Sequence, residues 1–488
     1  MPSMETADRI GLSHVLALLA EEVSSHYGMA RLRGLRAGLA GGAALPDLCP
    51  CPEECHARVS ALMGLPPENL DRLRALLPGF KNIGAQVARL GGGTLTAVDF
   101  FEAKNFLLAL ERLVGFWEGP GVRPAAVSFV HMGGALDLLD PSGQRLAAFF
   151  VEDAASGALL DSLRSARREK AALDSGCPGD FGAGGRLASR RAEIVAREDA
   201  LEEEALRGLS LGLRPFLADF LHNMESVGAL DFALAKALLA KKLGAARPAM
   251  GGRMLRLESA WNQQTKDELA AAGADFQAFS LELAPGATVL LGANMGGKSV
   301  AMRTVLLNAV LANLGFHVLA AAADVPRFDG ACLLEGGRGD SFLSSFGAEV
   351  AGLTRLAEEL GRKKMLAALD EPARSTNPAE GAAIVRGLVS FLEKTDSTCI
   401  VATHFDGAAQ KAGAAYLTEG FLEDGGRPRA SYRLLKAGRG ARAPRCAIRL
   451  CGMLGMHGAI LAEIGARGYT VPKKTRGRRK WRAKSRST

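Results

Sequence analysis

Residues Gly292-Ala293-Asn294-Met295-Gly296-Gly297-Lys298-Ser299 satisfy the pattern Gly-x-x-x-x-Gly-Lys-[Ser/Thr]. Glycines at these places let backbone N–H groups close around phosphate oxygens, and a following helix adds the positive potential of its N-terminus. Lys298 then reaches the β- and γ-phosphates, and Ser299 ligates Mg²⁺. The apolar run Ala287–Leu291 precedes the loop, and a helical pattern from Ser299 to Leu314, stopped by Gly315, follows it. A second apolar run, from Met365, ends in Asp370 and Glu371. There Asp370 would hold the metal through water and Glu371 would polarise an attacking water. A third, Cys399–Thr403, delivers His404. A histidine alone in such a place is more often structural. Beside two phosphate motifs it reads as a γ-phosphate sensor. The implied chemistry is Mg²⁺-dependent hydrolysis of ATP.

Positioning these groups requires strands that end at one edge. After Pro248 the pattern alternates between strand and helix, with predicted strands at 279–284, 287–293, 331–336, 365–371 and 398–404. That alternation predicts a mostly parallel sheet with helices on both faces. Residues 1–120 read as helical, including a helix opened by Thr96 with Asp99 three positions on, a capping box. Within it Phe100-Phe101-Glu102 reads as core. Two strands are expected over 125–133 and 145–153, flanking a turn at Asp140-Pro141-Ser142-Gly143. Two long charged helices follow, one over 156–173 and one from Arg186, broken by the glycine-rich stretch 174–185 and forming an antiparallel hairpin. Their charge runs read as solvated faces with i,i+4 pairs. A third, more apolar helix is expected over 215–243.

At 488 residues the chain is long enough for several domains. Its net charge of +8 suggests an anionic partner, but residues 473–486 hold nine basic residues and no acid. Taking those nine from 60 leaves 51 against 52 acidic residues, so the basicity is a tail. No run approaches the roughly eighteen apolar residues of a membrane span. The first residues lack a signal-peptide pattern. With eight cysteines in so long a chain, reduced thiols and a cytoplasmic location are expected. Cys49, Cys51, Cys55 and His56 could ligate a metal, but the spacing matches no established zinc pattern, and Pro50 and Pro52 make the segment a stiff loop.

The phosphate loop, with its Asn-Met-Gly-Gly core, is similar to that of the MutS family. Leu369-Asp370-Glu371-Pro372-Ala373-Arg374-Ser375-Thr376-Asn377-Pro378-Ala379-Glu380-Gly381, Ala402-Thr403-His404-Phe405, and Ser344-Ser345-Phe346 followed by Glu349 resemble other segments of that family. The resemblance is firm in the C-terminal half and looser from about residue 90. It implies an α/β P-loop NTPase domain of the ABC/MutS type at 248–465 and a core with a small hairpin and long lever helices at 121–247, beside the helical region at 1–120 and the basic tail at 466–488 read from the residues themselves. The nucleotide-contacting set is then Gly292, Asn294, Met295, Gly296, Gly297, Lys298, Ser299 and Val300. Ser344 and Ser345 would complete the site of a partner subunit, making a dimer of this chain with itself or with a paralogue. Ser299 and Asp370 would hold the metal, with Lys298, Glu371 and His404 acting in hydrolysis.

There are departures. Ala293 and Ala373 stand where the family has Pro and Gly, and 377–381 replaces a Ser/Thr-rich run. The resemblance also implies a short type, without the mismatch-recognition domain or a C-terminal Smr nuclease domain. Two clients are compatible with it. The family default is duplex or branched DNA, with the tail and its Trp481 in support. The segment 370–381 also resembles MutS-like reactivating factors of cobalamin-dependent aminomutases, for which the neutral body is suited.

Overall fold

The computed structural model describes residues 4–119, 127–155, 157–176, 185–292, 296–335, 342–374, 376–405, 407–424, 427–438, 440–442, 448, 451 and 456–467. The chain divides into two compact units that are discontinuous in sequence. One comprises 18–36 and 57–241, and the other 1–17, 37–56 and 242–488.

The first unit is helical. Its helix Ala97–Trp117 opens with the expected capping box, Thr96 accepting from the Asp99 N–H and Asp99 accepting from the Thr96 N–H at 2.9 Å. Phe100, Phe106, Phe80 and Phe220 are buried in one core, with the rings of Phe80 and Phe106 edge to face at 5.4 Å. The two strands expected over 125–153 are absent from the described residues. A helix, Gly133–Leu139, and a short helix, Val151–Ala154, occupy that stretch. The turn at Asp140–Gly143 is present, but the segments beside it pair with side chains rather than with each other. The amide of Asn223 accepts from the Val130 N–H at 2.9 Å and donates to its carbonyl at 3.0 Å. Asp140 accepts from the Arg145 N–H at 2.7 Å, and Arg145 takes a left-handed φ of 54°, which breaks the extended run. Buried polar side chains have taken the backbone groups that a ladder needs.

The charged helices are Gly157–Gly176 and Gly185–Leu213. Their charge runs are largely exposed, as expected, but most of the ion pairs run between helices rather than i,i+4 along one. Arg167 reaches Glu152, Glu198 and Glu202, and Lys170 also meets Glu198. Arg191 pairs with Asp174, and Arg190 with Glu169. Among the described residues of these helices, Arg207–Glu203 is the i,i+4 pair. Antiparallel packing brings unlike charges opposite each other along the seam, and Glu198 is buried there.

Among its described residues the second unit contains ten strands: β1 (Ala249–Met250), β2 (Leu255–Ala260), β3 (Phe279–Leu283), β4 (Gly286–Leu291), β5 (Ala322–Val325), β6 (Gly330–Glu335), β7 (Met365–Asp370), β8 (Thr398–Thr403), β9 (Ala414–Asp424) and β10 (Arg427–Ala437). Six form a sheet in the order β10-β9-β4-β8-β7-β6, parallel except for the antiparallel edge strand β10. A second sheet, in the order β1-β5-β2-β3, is mostly antiparallel. Strands β4, β7 and β8 are almost wholly buried, which accounts for their unbroken apolar sequences. Ala287, Val289 and Leu291 of β4 join a core with Val385 and Val389 of the helix Pro378–Leu392 and with Leu356 of the helix Phe342–Leu360. Thr288 and Leu290 instead line a small cavity with Ala301, Met302 and Val305 of the helix Lys298–Asn313 and with Leu281 and Leu283 of β3. The Lys298–Asn313 helix is accordingly apolar on nearly every side. None of the described helices is long and apolar enough to cross a membrane.

Candidate nucleotide site

The site lies at the C-terminal ends of β4, β7 and β8, where a parallel sheet presents its ligand-binding edge. β4 delivers the chain to Gly292. A Cβ at Gly292 would lie 1.8 Å from Thr418 Oγ1 of the neighbouring strand β9, so only glycine fits. Ala293, Asn294 and Met295 fall outside the described residues. The chain reappears at the buried Gly296 and at Gly297, whose φ of 85° makes it a left-handed N-cap to the Lys298–Asn313 helix. The ring of Tyr432 packs against Gly297 where a side chain would otherwise stand, 2.7 Å from the position of its Cβ. Val300 is half-buried in the first turn of the helix, its carbonyl accepting from Thr304 Oγ1 at 2.7 Å.

Lys298 is only 4% exposed, and its side chain folds back over the loop. Nζ donates to the Gly292 carbonyl at 2.9 Å and lies 3.3 Å from Glu371 Oε1. A helix-start lysine and the acid after β7 are thus brought together across the mouth of the loop. Asp370 is tucked beneath. Burial raises its carboxyl above the usual range, and the negative charges of Glu371 and Glu335 push the same way. A hydrogen bond from Ser299 and the ammonium of Lys298 pull against them. Ser299 and Asp370 therefore share one hydrogen bond, as two oxygen donors to a hard cation would be placed. The groups gathered here suit Mg²⁺: a hydroxyl and a carboxylate, in surroundings where excess negative charge raises the carboxyl.

Glu371 has a left-handed backbone, φ 50°, and its N–H donates to the Ala402 carbonyl of β8 at 2.9 Å. The second left-handed residue of this turn is Ala373, φ 60° and fully buried. That conformation explains why glycine would be favoured there, and why an alanine needs support. Support comes from Glu349, which accepts from the Ala373 N–H, and from Gly381, where a Cβ would stand 3.0 Å from the Ala373 carbonyl. Glu349 belongs to the helix Phe342–Leu360 that also carries Ser344 and Ser345. The side chains of those two serines fall outside the described residues.

His404 follows β8 and is brought to the same edge. Its Nδ1 is 3.9 Å from Glu371 Oε1, and its ring lies 4.5 Å from that of Phe405. Arg374 Nε is 3.8 Å from Glu371 Oε2, so three basic side chains surround one carboxylate. One group went unread in the sequence. Glu335 ends β6 in register with Asp370 and is held by Arg303 at 2.8 Å and by Arg9 at 3.2 Å. Its place at the end of an apolar run, like that of Asp370, was the available signal. Cys49, Cys51, Cys55 and His56 form no group arranged to hold a metal, and among the described residues no such group is found. His56 Nε2 donates instead to the Ala312 carbonyl at 3.0 Å.

Residues 288–416 match the family model of MutS domain V, a span that runs from β4 into β9 and contains Lys298, Ser299, Glu335, Asp370, Glu371 and His404. The chain is 26% identical over 223 residues to the endonuclease MutS2 of Leuconostoc mesenteroides, covering 45% of this chain and 27% of that protein. It is 31% identical over 235 residues to that of Thermomicrobium roseum, covering 45% and 29%. With that of Shouchella clausii it shares 27% identity over 262 residues, covering 51% and 32%. The chain thus spans under a third of the length of the curated relatives it matches. The phosphate-loop lysine and the paired acids fall inside the matched span, and over that span the chain is similar to domain V of the MutS family.

Proposed function

We propose that this chain binds ATP with Mg²⁺ at the edge formed by β4, β7 and β8, as a P-loop NTPase, and hydrolyses it. The contact between Lys298 and Glu371 across the mouth of the loop carries the reading. A buried ammonium beside a glycine-rich turn is placed to take phosphate oxygens in exchange for a carboxylate. Ser299 and Asp370 would hold Mg²⁺, which would supply charge neutralisation at the phosphates. Glu371, once released from Lys298, orients and deprotonates the attacking water, and His404 lies close enough to hold a terminal phosphate oxygen. Asn294, Met295 and Val300 complete the cradle. Ser344 and Ser345 serve the site of a second subunit, so that ATP closes a dimer and hydrolysis opens it.

DNA is the client we propose, because the curated relatives are named endonucleases of the MutS2 type. The test is steady-state ATP turnover with and without duplex or branched DNA, on the wild-type chain and on Lys298→Ala. Turnover stimulated by DNA and lost in the variant is expected. Turnover that persists in Lys298→Ala would overturn the assignment of the site, and turnover indifferent to DNA would overturn the client.

A further inference from the structure

The nucleotide site leaves unused the cysteine-rich segment Cys49-Pro50-Cys51-Pro52-Glu53-Glu54-Cys55-His56. We infer that Cys49 and Cys55 are a reversible disulfide-forming pair, oxidised by a low-molecular-weight disulfide. Their Sγ atoms are 3.6 Å apart. Closing that gap to the roughly 2.05 Å of a bond needs only side-chain movement if the backbone is already set, and several features set it. Cys49 ends the helical turn Leu45–Leu48 with its N–H on the Leu45 carbonyl at 3.0 Å. Cys55 lies in the first turns of the helix Pro52–Met63. Pro50 and Pro52 fix φ on either side of Cys51.

The floor beneath the two sulfurs is bare backbone. A Cβ at Gly315 would stand 2.4 Å from Cys55 Cβ and 3.2 Å from each sulfur, so the residue that stops the phosphate-loop helix also makes room for the pair. The Arg327 guanidinium closes the segment from outside, donating to the Pro50 carbonyl at 3.0 Å and to Glu53 Oε1 at 2.9 Å. Its positive charge lies near Cys49 and Cys51.

Exposure orders the steps. Cys55 is partly exposed and Cys49 is buried. The Cys55 thiolate attacks one sulfur of the incoming disulfide, forming a mixed disulfide and expelling one thiolate. Cys49, deprotonated, then attacks Cys55 Sγ and expels the second. The chain gives up two electrons and two protons, and the small disulfide becomes two thiols. Reversal needs only excess thiol.

The test equilibrates the full chain with oxidised and reduced glutathione, quenches with acid, alkylates, and maps peptides by mass. Expected is a peptide spanning residues 49–55 lighter by two hydrogens, restored by thiol reductant and formed equally in Cys51→Ser. In Cys49→Ser the same peptide should instead carry glutathione on Cys55. At a fixed glutathione ratio the linked fraction should fall by about tenfold or more when the chain is unfolded in urea, since only the fold holds the sulfurs together. A link that requires Cys51, glutathione on Cys51 with Cys49 and Cys55 both alkylated, or equal linkage in urea would each overturn the inference. None of these readings depends on ATP turnover, so the proposed nucleotide site stands or falls separately.

Discussion

Glu371→Gln separates what the acid does for the empty protein from what it does in hydrolysis. Lys298 Nζ and Glu371 Oε1 are 3.3 Å apart, with side-chain exposures of 4% and 12%. At an effective dielectric of about 20, the attraction of unit charges at that distance is about 5 kcal/mol. Desolvation of both groups offsets more than half of this, and the glutamine oxygen can still accept from the ammonium. The net loss in the empty protein is then about 2 kcal/mol.

ATP must displace the same contact before Lys298 can take its phosphates, so the variant regains that energy on binding. Its Kd should fall by about thirtyfold, since each 1.4 kcal/mol is a factor of ten. Turnover should drop steeply because the water loses its base. The assays are chemical denaturation with and without nucleotide, ATP titration, and phosphate release. Nucleotide should stabilise the variant more than the wild type. An unchanged denaturation midpoint together with an unchanged or raised Kd would refute the idea that the lysine is held in reserve by Glu371.

Gly292→Ala should cost about 1–3 kcal/mol by overpacking, since its methyl would meet the buried Thr418 hydroxyl; urea denaturation reads this, and a neutral result would mean that β9 yields easily. Glu349→Ala removes the acceptor of the buried Ala373 N–H, which should lower kcat while leaving ATP affinity within about threefold; an equal loss of both would place Glu349 in binding instead. Arg167→Ala should loosen the helical hairpin by about 1–2 kcal/mol, the 35% exposure of that side chain keeping each of its three pairs weak; faster hydrogen exchange over 157–213 is the readout. Burial alone would raise the Asp140 carboxyl, but the Arg145 N–H and the Lys104 ammonium outweigh it and hold the carboxyl below its ordinary range. A depressed acid stabilises above its unfolded value of about 3.9, and that stability is lost as pH falls through the folded value. Asp140→Asn should therefore be less stable than wild type at neutral pH and show a shallower loss below about pH 4, measured as urea midpoints against pH.

The strands that carry chemistry were legible because both of their faces are buried. Ala287–Leu291, Met365–Leu369 and Thr398–Thr403 face a core on each side, and an unbroken apolar run ending in glycine or acid is a strong signal. Of the second sheet only β3 was legible, as the strand expected at 279–284. β5 is alanine-rich and four residues long, and β2 alternates only partly, with a left-handed Ser259 inside it. The hairpin β9–β10 carries many polar residues and a register shift between Ser431 and Leu434, which masks period two. In the helical unit, the misread strands failed for a different reason. The apolar residues near Val130 and Phe149 do face a core, but the backbone of Val130 pairs with the side chain of Asn223 and that of Arg145 with Asp140, which no local pattern announces. The helical charge runs were visible, whereas the pairing of Arg167 with Glu198 and Glu202 depends on how two helices meet.

The turn after β7 ties the buried strands to the chemistry. Two non-glycine residues of the same short turn, Glu371 and Ala373, take left-handed backbones, each costing on the order of 1 kcal/mol. Such strain persists only where neighbours over-determine it. The neighbours here are the Ala402 carbonyl of β8, the Glu349 carboxylate and the backbone-tight Gly381. Glu349 belongs to the helix that carries Ser344 and Ser345. Any displacement of that helix pulls on the Ala373 N–H, two residues from the carboxylate that holds Lys298. A turn stored in this conformation can change its grip on Glu371 when its anchor moves, without any rearrangement of the sheet. On the proposed dimer, the arrival of a second subunit at the serine-bearing helix would therefore be read by the acid directly. The left-handed turn, rather than the phosphate loop, is where partner and hydrolysis would be coupled.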